Sequence, residues 1–453
     1  MNGIDELAAL IVGIRADDAA TPEKLRLHVA DTICAWLAAT RTPEGKSLIA
    51  FRNRQRLGAN SLADNLATHC ALARLSEIDD IHLASMTTPG SIVIPAAMTL
   101  AVTLPGVNVA DIAAAMLAGY EAMVRFGLAV NGPTILYRGI WPTYFAAGFA
   151  TAAAAARLIR LDERHTAQAL ALALNMAAPA VGQHHAATTA RWFLVGHAAR
   201  NGLSAAVAAQ AGFTADTGVL QSRLFPDVYG VEPQLDAMRA ASGTSALAQV
   251  SFKPWCAARQ TMAATQALHE ILDGGLAAAD IAEVTAYVLP PHLKMIDHGV
   301  RPGDRASFLT SLPYQLAIMA LRPEGMLDLG EPDPSHLPAL QSFMTRVRIV
   351  ADESLLAEYP SSWRARVVVT TPLGPRECQV HDVPGDPARP FTEADICRKF
   401  QRCVGRHLDE GAAEGLWQSS MSVLRSRETL LSMMRDLDRV MAISGASETR
   451  TAD

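Results

Sequence analysis

Three acidic residues and a histidine lie close together early in the chain, at Glu77, Asp79, Asp80 and His82. On a surface turn such a run stays solvated and does no chemistry. If the run is enclosed, repulsion between the carboxylates raises the pKa of one of them, and the group then contains an acid and a base. We therefore treat Glu77, Asp79 and Asp80 as candidate catalytic residues and His82 as a candidate substrate-binding residue.

A small-residue turn at 87–91 follows this run and leads into the apolar segment that begins at Ile92. A turn of glycine, serine and threonine before a helix can direct backbone N–H groups at an anion. The same residues also form an ordinary helix cap, and that alternative stays open. Thr88 is our candidate substrate-binding residue in this turn.

Two cations lie six positions apart at Lys253 and Arg259. Such a pair could clamp a carboxylate, and a desolvated lysine can donate or accept a proton. The alternative is a linker that carries two solvated cations. We take Lys253 as a catalytic candidate and Arg259 as a substrate-binding candidate.

A tyrosine beside a proline, Tyr314, lies in an otherwise apolar segment and needs a partner for its hydroxyl. We regard it as a second proton-transfer candidate, with core packing as the alternative. Trp141 begins a predicted helix, either as a core residue or as one wall of a pocket. His185 and Arg191 are further binding candidates. Adjacent histidines on a helix point in different directions, so His184 and His185 together do not predict a metal site.

The composition excludes several classes of protein. Half of the 453 residues are hydrophobic and 19% are charged, which argues against disorder. The net charge of −6 argues against nucleic-acid binding. The six cysteines contain no CxxC pair, so a zinc ribbon or an iron–sulfur cluster lacks its usual spacing.

The N-terminal segment 1–10 contains Asp5 and Glu6 and has no basic residues, which argues against a signal peptide. The most apolar stretch, 144–156, is too short to span a bilayer. We therefore expect a cytoplasmic protein that does not interact with membranes.

The first 250 residues have helical periodicity. Leu25, Val29, Ile33 and Trp36 form one apolar stripe. Further helix starts are predicted at Asn108, near Thr143 and at Asp162, each from a capping residue or from the periodicity that follows.

Alternation replaces this periodicity after Lys253. Val284, Ala286 and Val288 share one strand face, and 364–371 with 376–383 are predicted to form a hairpin around the turn 372–375. We expect a mainly helical protein with two domains: an all-helical domain at 1–253 and 391–453, and an α+β lid domain at 254–390. A cleft between such domains is a usual place for a small-molecule site.

Seven of these segments follow one another in an order that resembles the MmgE/PrpD proteins, over about residues 5–405. The segments are Asp79-Asp80-Ile81-His82, Thr88-Pro89-Gly90-Ser91, Gly139-Ile140-Trp141-Pro142-Thr143, Gly196-His197-Ala198-Ala199-Arg200-Asn201-Gly202, Gly212-Phe213-Thr214, Lys253-Pro254-Trp255 and Ser311-Leu312-Pro313-Tyr314. Each segment is a weak signal alone, but seven in this order are specific.

The resemblance implies a large helical domain and a smaller lid, usually as a homodimer, with the active site in the cleft and no metal or organic cofactor. Members of the family remove water, carbon dioxide or a proton next to a carboxylate. Lys253 matches the lysine of the family's Lys-Pro motif, and Tyr314 matches a tyrosine of its lid segment. Arg259 matches an arginine beyond that lysine, and Asp79-Asp80 match paired aspartates.

The chain departs from the family pattern at four positions. Thr88, Trp141 and Met262 stand where histidines are usual, and Arg191 stands where a lysine is common. Threonine, tryptophan and methionine do not exchange protons near neutral pH. A bulkier, more apolar Trp141 suggests a larger or less charged substrate.

Three functional hypotheses follow. The first is a lyase or isomerase acting next to a carboxylate, in which Arg191 and Arg259 hold the substrate while Lys253 and Tyr314 move protons. The second is a biosynthetic enzyme that cyclises or rearranges a less polar acid. The third is a binding protein that has lost catalysis.

Overall fold

The computed structural model describes residues 2–16, 21–55, 61–177, 188–239, 245–405, 408 and 410–446. These residues form two compact units. The helical unit comprises the described residues up to 177, those of 189–251 and those from 392 onwards. The α+β unit comprises Thr188 and 252–391. A mainly helical fold with one small sheet confirms the predicted fold class.

The helical unit contains ten helices before residue 251 and three after residue 392, among the described residues. They are α1 (Gly3–Gly13), α2 (Thr21–Ala39), α3 (Pro43–Gln55), α4 (Leu62–Leu75), α5 (Gly90–Ala101), α6 (Val109–Ala129), α7 (Gly132–Leu136), α8 (Pro142–Leu158), α9 (Glu163–Asn175), α10 (Ala190–Gln210), α16 (Glu393–Cys403), α17 (Glu410–Ser422) and α18 (Arg427–Ala446).

Local signals explain where several of these helices begin. Asn108 and Asp111 form a capping box at the start of α6, in which each side chain accepts a hydrogen bond from the backbone N–H of the other residue. Asp162 caps α9 by accepting from the backbone N–H of His165. The apolar stripe of α2 is fully buried, as its spacing predicts.

Helix α8 lies at the centre of this unit and packs against α6 and α10. Close approach depends on small residues, because a Cβ added at Gly202 of α10 would lie 2.1 Å from the carbonyl oxygen of Gly148 in α8. Helix α6 is long and apolar enough to cross a membrane, but 94% of that window is buried inside the protein. Its burial is that of a core helix.

The α+β unit contains a four-stranded sheet and five helices among the described residues. The strands are β1 (Glu283–Val288), β2 (Val347–Ala351), β3 (Ala365–Thr371) and β4 (Gly374–Val380). The helices are α11 (Arg259–Asp273), α12 (Leu293–Ile296), α13 (Arg305–Thr310), α14 (Leu312–Leu321) and α15 (Leu337–Met344). The strand order is β2-β1-β3-β4, in which only β1 and β2 are parallel.

The predicted hairpin is present with a tighter turn than expected. Thr371 pairs with Gly374, so Pro372 and Leu373 alone form the loop. In β1 the buried residues Val284, Ala286 and Val288 alternate with more exposed ones, as the sequence predicts. Helix α11 packs on β3 and β4 and covers one face of the sheet. None of the six cysteines forms a disulfide.

Candidate active site

The acidic run of the helical unit is enclosed, so its interpretation as a solvated surface turn is wrong. Glu77, Asp79 and Asp80 are 9%, 0% and 1% exposed. A backbone bridge pairs Ile81 with Ser251. Ser251 ends this segment of the helical unit and lies two positions before Lys253. A charge that is removed from water must be compensated by hydrogen bonds or ion pairs, so the partners of each carboxylate determine its role.

Asp80 is held by three groups from three different parts of the helical unit. Its carboxylate lies 2.8 Å from Nδ1 of His28 and accepts hydrogen bonds from the Tyr120 hydroxyl at 2.7 Å and the Gly90 backbone N–H at 2.7 Å. Burial and the Asp80 carboxylate raise the pKa of Tyr120, so this phenol keeps the proton that it donates. A carboxylate with this many donors is fixed in place and suits a positioning role.

The small-residue turn at 87–91 binds an anion from the chain itself. Gly90 is the first residue of α5, and its N–H donates to Asp80, so the expected anion at this helix start is the Asp80 carboxylate. A Cβ added at Gly90 would lie 2.6 Å from Oδ2 of Asp80. Glycine is therefore needed here for the carboxylate to reach the backbone.

Glu77 and Asp79 share one guanidinium. Arg74, at the end of α4, lies 2.9 Å from Oε1 of Glu77 and 3.2 Å from Oδ1 of Asp79. Burial opposes the charge of Arg74, but Asp79 and Glu77 together raise its pKa. Glu77 has a φ of 59°, which is unfavourable for a glutamate. This backbone strain is compensated by the ion pair that it allows.

A buried lysine from the C-terminal part of the chain holds the backbone of the acidic loop, the segment 77–82 that contains the acidic run. Lys399 of α16 donates to Asp31 at 2.6 Å and to the backbone carbonyl of Ile78 at 2.7 Å. Burial raises the pKa of Asp31, and the nearby ammonium of Lys399 opposes this effect. Lys399 therefore fixes the backbone between Glu77 and Asp79.

His82 organises the loop that follows. Its Nδ1 accepts from the Ser85 backbone N–H at 3.1 Å, and the Ser85 hydroxyl lies 2.7 Å from that of Thr87. Burial lowers the pKa of His82 to about 4, and a hydrogen bond with Gln249 opposes this shift. His82 is therefore neutral at pH 7, and contact with substrate stays a prediction.

Because of this histidine, the free energy of unfolding should decrease as the pH is lowered. An unfolded histidine has a pKa of about 6.5, so below that pH the unfolded chain binds a proton more readily than the folded one. The contribution of His82 is complete above about pH 6.5 and is lost as the pH falls to about 4. Its slope is at most about 1.4 kcal/mol per pH unit. Urea unfolding between pH 7.5 and 5 measures this dependence.

The variant His82→Asn keeps an acceptor near the position of Nδ1 but does not titrate, so it should show a shallower pH dependence than the unmodified protein. Exposed His381 provides the matched control, because His381→Asn should leave the slope unchanged. An identical slope for His82→Asn and the unmodified protein would contradict the assignment. Some slope will remain, since burial also lowers the pKa values of His69 and His292.

The positions where the sequence lacks the family's histidines have packing or hydrogen-bonding roles. The Thr88 hydroxyl lies 3.1 Å from that of Thr143, which also accepts from the Thr88 N–H at 3.0 Å. The Arg191 guanidinium lies 4.9 Å above the Trp141 ring, a cation–π geometry. Met262 is fully buried in the core of the α+β unit.

Tyr314 lines a recess in the α+β unit. The recess, together with the open solvent at its mouth, comprises about 290 Å³ of empty space. Cys256, Gln315 and Asp328 also line it. Burial raises the pKa of Tyr314, and the charges of Asp328, Cys256 and Glu331 add to this effect. The phenol is therefore protonated at neutral pH. Tyr314 is packed in the core of the α+β unit, as the alternative interpretation expects, and its role in proton transfer stays a prediction.

The two cations predicted in this unit are both buried. Lys253 is 2% exposed. Arg259 forms an ion pair of 2.6 Å with Asp386, which also accepts from the Val383 N–H at 2.7 Å. The interpretation of Lys253 and Arg259 as solvated linker residues is therefore wrong. This ion pair gives Arg259 a structural role, and its contact with substrate stays a prediction.

The structure brings some predicted residues together. Glu77 and Asp79 meet at Arg74, Asp80 meets the turn of Thr88, and Trp141 meets Arg191. His185 lies outside the described residues. Joint action of Lys253 and Tyr314 with the acidic loop stays a prediction. Within the described ranges, no group of three or more His, Cys, Asp or Glu side chains could hold a metal ion.

Sequence reasoning missed most of the residues that hold the carboxylates. These are His28, Arg74, Tyr120 and Lys399. One signal was available, because a tyrosine in the apolar face of α6 needs a hydrogen-bond partner. Arg74 lies three positions before Glu77, a spacing that a local pattern can identify. Lys399 lies 368 positions beyond Asp31, and no local pattern identifies such a pair.

Comparison with known proteins identifies an N-terminal and a C-terminal family domain in this chain. The chain matches the family models described as the MmgE/PrpD N-terminal domain, over residues 5–236, and the MmgE/PrpD C-terminal domain, over residues 255–421. It is similar to two cis-aconitate decarboxylase sequences of Aspergillus terreus, one from a named strain, each 26% identical over 246 residues. That alignment covers 49% of this chain and 49% of each relative, so the chain spans about half the length of the curated relatives it matches. Because the two domain models together match most of its length, this chain belongs to the MmgE/PrpD family.

Proposed function

We propose that this protein is a lyase that acts at a carbon next to a carboxylate of a small organic acid, with side chains rather than a bound cofactor moving the protons. An epimerase, which removes and returns one proton at the same carbon, is the closest variant of this proposal. Membership of the family supports it, as does the similarity to proteins named cis-aconitate decarboxylase.

The observation that carries the proposal is the enclosure of the acidic loop. Three carboxylates and the guanidinium of Arg74 are withdrawn from water within one short segment. Ionic groups are seldom fully buried unless they are paired, and buried ion pairs contribute little to stability compared with apolar packing. The presence of such a buried charged group therefore favours a functional role for the segment over a purely structural one.

The chemistry requires one group that accepts a proton and one that donates it. Dehydration delivers a proton to the departing hydroxyl, and decarboxylation delivers one to the carbanion that remains. Tyr314 suits this delivery, because burial raises its pKa and keeps it protonated. We assign the accepting role to Lys253. Arg191, whose guanidinium lies 4.9 Å from the centroid of the Trp141 ring, is our preferred carboxylate-binding residue.

The experiment is a proton NMR assay in D₂O with cis-aconitate, citrate and 2-methylcitrate. We expect at least one acid to lose water or carbon dioxide, or to exchange a hydrogen next to a carboxylate for deuterium. Heat-inactivated protein controls for spontaneous exchange. If all three acids stay unchanged at high protein concentration, the proposal in this form is wrong. The predicted homodimer is checked separately by light scattering.

A further inference from the structure

Tyr144 combines complete burial with a hydroxyl that has no hydrogen-bond partner among the described residues. It is the third residue of α8 and is 1% exposed. It lies three positions beyond Trp141, the residue that immediately precedes the helix. Their rings meet edge to face with centroids 5.8 Å apart.

Four charged groups of the helical unit act electrostatically on this phenol. The guanidiniums of Arg74 and Arg191 and the carboxylates of Glu77 and Asp79 all act on it. Burial raises the pKa of Tyr144 to about 12, the two arginines oppose this effect, and the two acids add to it. The hydroxyl is therefore a hydrogen-bond donor at neutral pH.

Tyr120 of the same unit provides a contrast. Tyr120 is equally buried, and its hydroxyl donates to Asp80 at 2.7 Å. An enclosed hydroxyl without a partner destabilises a protein, whereas phenylalanine would fill the same space without that cost. The position of the Tyr144 hydroxyl is therefore best explained by an acceptor that is not part of the described chain.

The neighbours indicate which acceptor fits. Arg191 contacts the same Trp141 ring that Tyr144 contacts, so a cation and a neutral donor lie on one indole. Glu77 and Asp79 are already engaged by Arg74. A hydroxyl and a guanidinium on one aromatic wall are complementary to a carboxylate, which accepts from both.

We propose that Tyr144 is a substrate-binding residue whose hydroxyl donates to a carboxylate of the acid, with Arg191 as the second contact. This inference rests on the proposed function and names one subsite of it. Trp141 cannot exchange a proton. The inference explains how the start of α8 still offers a polar group, because the Tyr144 hydroxyl lies about one turn beyond Trp141.

The test compares two single-atom deletions, Tyr144→Phe and Tyr120→Phe. Tyr144→Phe removes no hydrogen bond to a described residue, so its melting temperature should equal or exceed that of the unmodified protein. Tyr120→Phe leaves Asp80 without one donor and should melt at a lower temperature. In calorimetric titrations with cis-aconitate, citrate or 2-methylcitrate, Tyr144→Phe should weaken binding about 10- to 100-fold.

The outcomes separate the inference from the proposed function. If the unmodified protein binds none of the three acids, the proposed function fails and the inference falls with it. If Tyr144→Phe binds an acid as tightly as the unmodified protein, the hydroxyl holds a structural water only, and the inference alone is overturned. Arg191→Gln is the second variant: it should weaken binding of the same acid, and the double variant should lose less than the sum of both effects.

Discussion

Replacement of Asp80 by leucine should destabilise the helical unit by about 3–5 kcal/mol, because a buried network loses its central acceptor. His28, Tyr120 and the Gly90 N–H all point at this carboxylate. Leucine fills a similar space but removes the carboxylate that these three groups contact. For a protein of this size the loss corresponds to a fall in melting temperature of roughly 3–5 °C, which differential scanning calorimetry measures.

Two variants control for this effect. Asp80→Asn keeps one oxygen for the Gly90 N–H and should cost less than Asp80→Leu, although its amide nitrogen then faces the other donors. Asp227→Leu changes an exposed aspartate of the same unit and should shift the melting temperature by little. If Asp80→Leu melts at the same temperature as the unmodified protein, Asp80 does not hold the loop.

Replacement of Lys253 by methionine should lower turnover of the acid identified by the NMR assay by about 10²- to 10⁴-fold. Methionine keeps the length and most of the volume of the side chain but cannot exchange a proton. Lys253 is almost completely enclosed, so bulk solvent cannot easily replace its function. Initial rates at saturating and at low substrate concentration measure kcat and kcat/KM separately.

Lys294→Met provides the matched control, because Lys294 is an exposed lysine of the same unit and should be dispensable. Melting temperatures of both variants separate lost chemistry from lost folding. Unchanged turnover by a well-folded Lys253→Met protein would remove this lysine from the mechanism.

Combination of Lys253→Met with Tyr314→Phe tests whether the two residues act in one step. Groups that act together show strongly non-additive losses, so the double variant should be little worse than the poorer single variant. Additive losses would place Lys253 and Tyr314 in separate steps.

The three positions at which the resemblance leads one to expect histidines are well packed. Thr88 hydrogen-bonds to Thr143, Trp141 packs under Arg191, and Met262 lies in the core of the α+β unit. None of these side chains titrates near neutral pH. We therefore infer that any proton transfer uses fewer groups than the family pattern provides, with Lys253 and Tyr314 as the main candidates.

The sequence by itself determined the elements that depend on neighbours along the chain. The stripe of α2, the capping box of α6 and the cap of α9 follow from residues within about three helical turns of one another. The alternating face of β1 and the approximate hairpin follow in the same way. Local geometry decides these features, because hydrogen bonding within a turn and helical or strand periodicity involve few residues. The ordered set of motifs also identified the family.

Tertiary structure alone decided whether the acidic run is solvated or enclosed. That outcome depends on Lys399, more than 300 positions beyond Ile78 in the chain, and on Tyr120 and His28, which approach Asp80 from separate helices. It also decided that the anion at the start of α5 is Asp80, and that Arg259 pairs with Asp386. The physical reason is desolvation. The cost of burying a charge is set by every group packed around it, and those groups come together only in the folded chain.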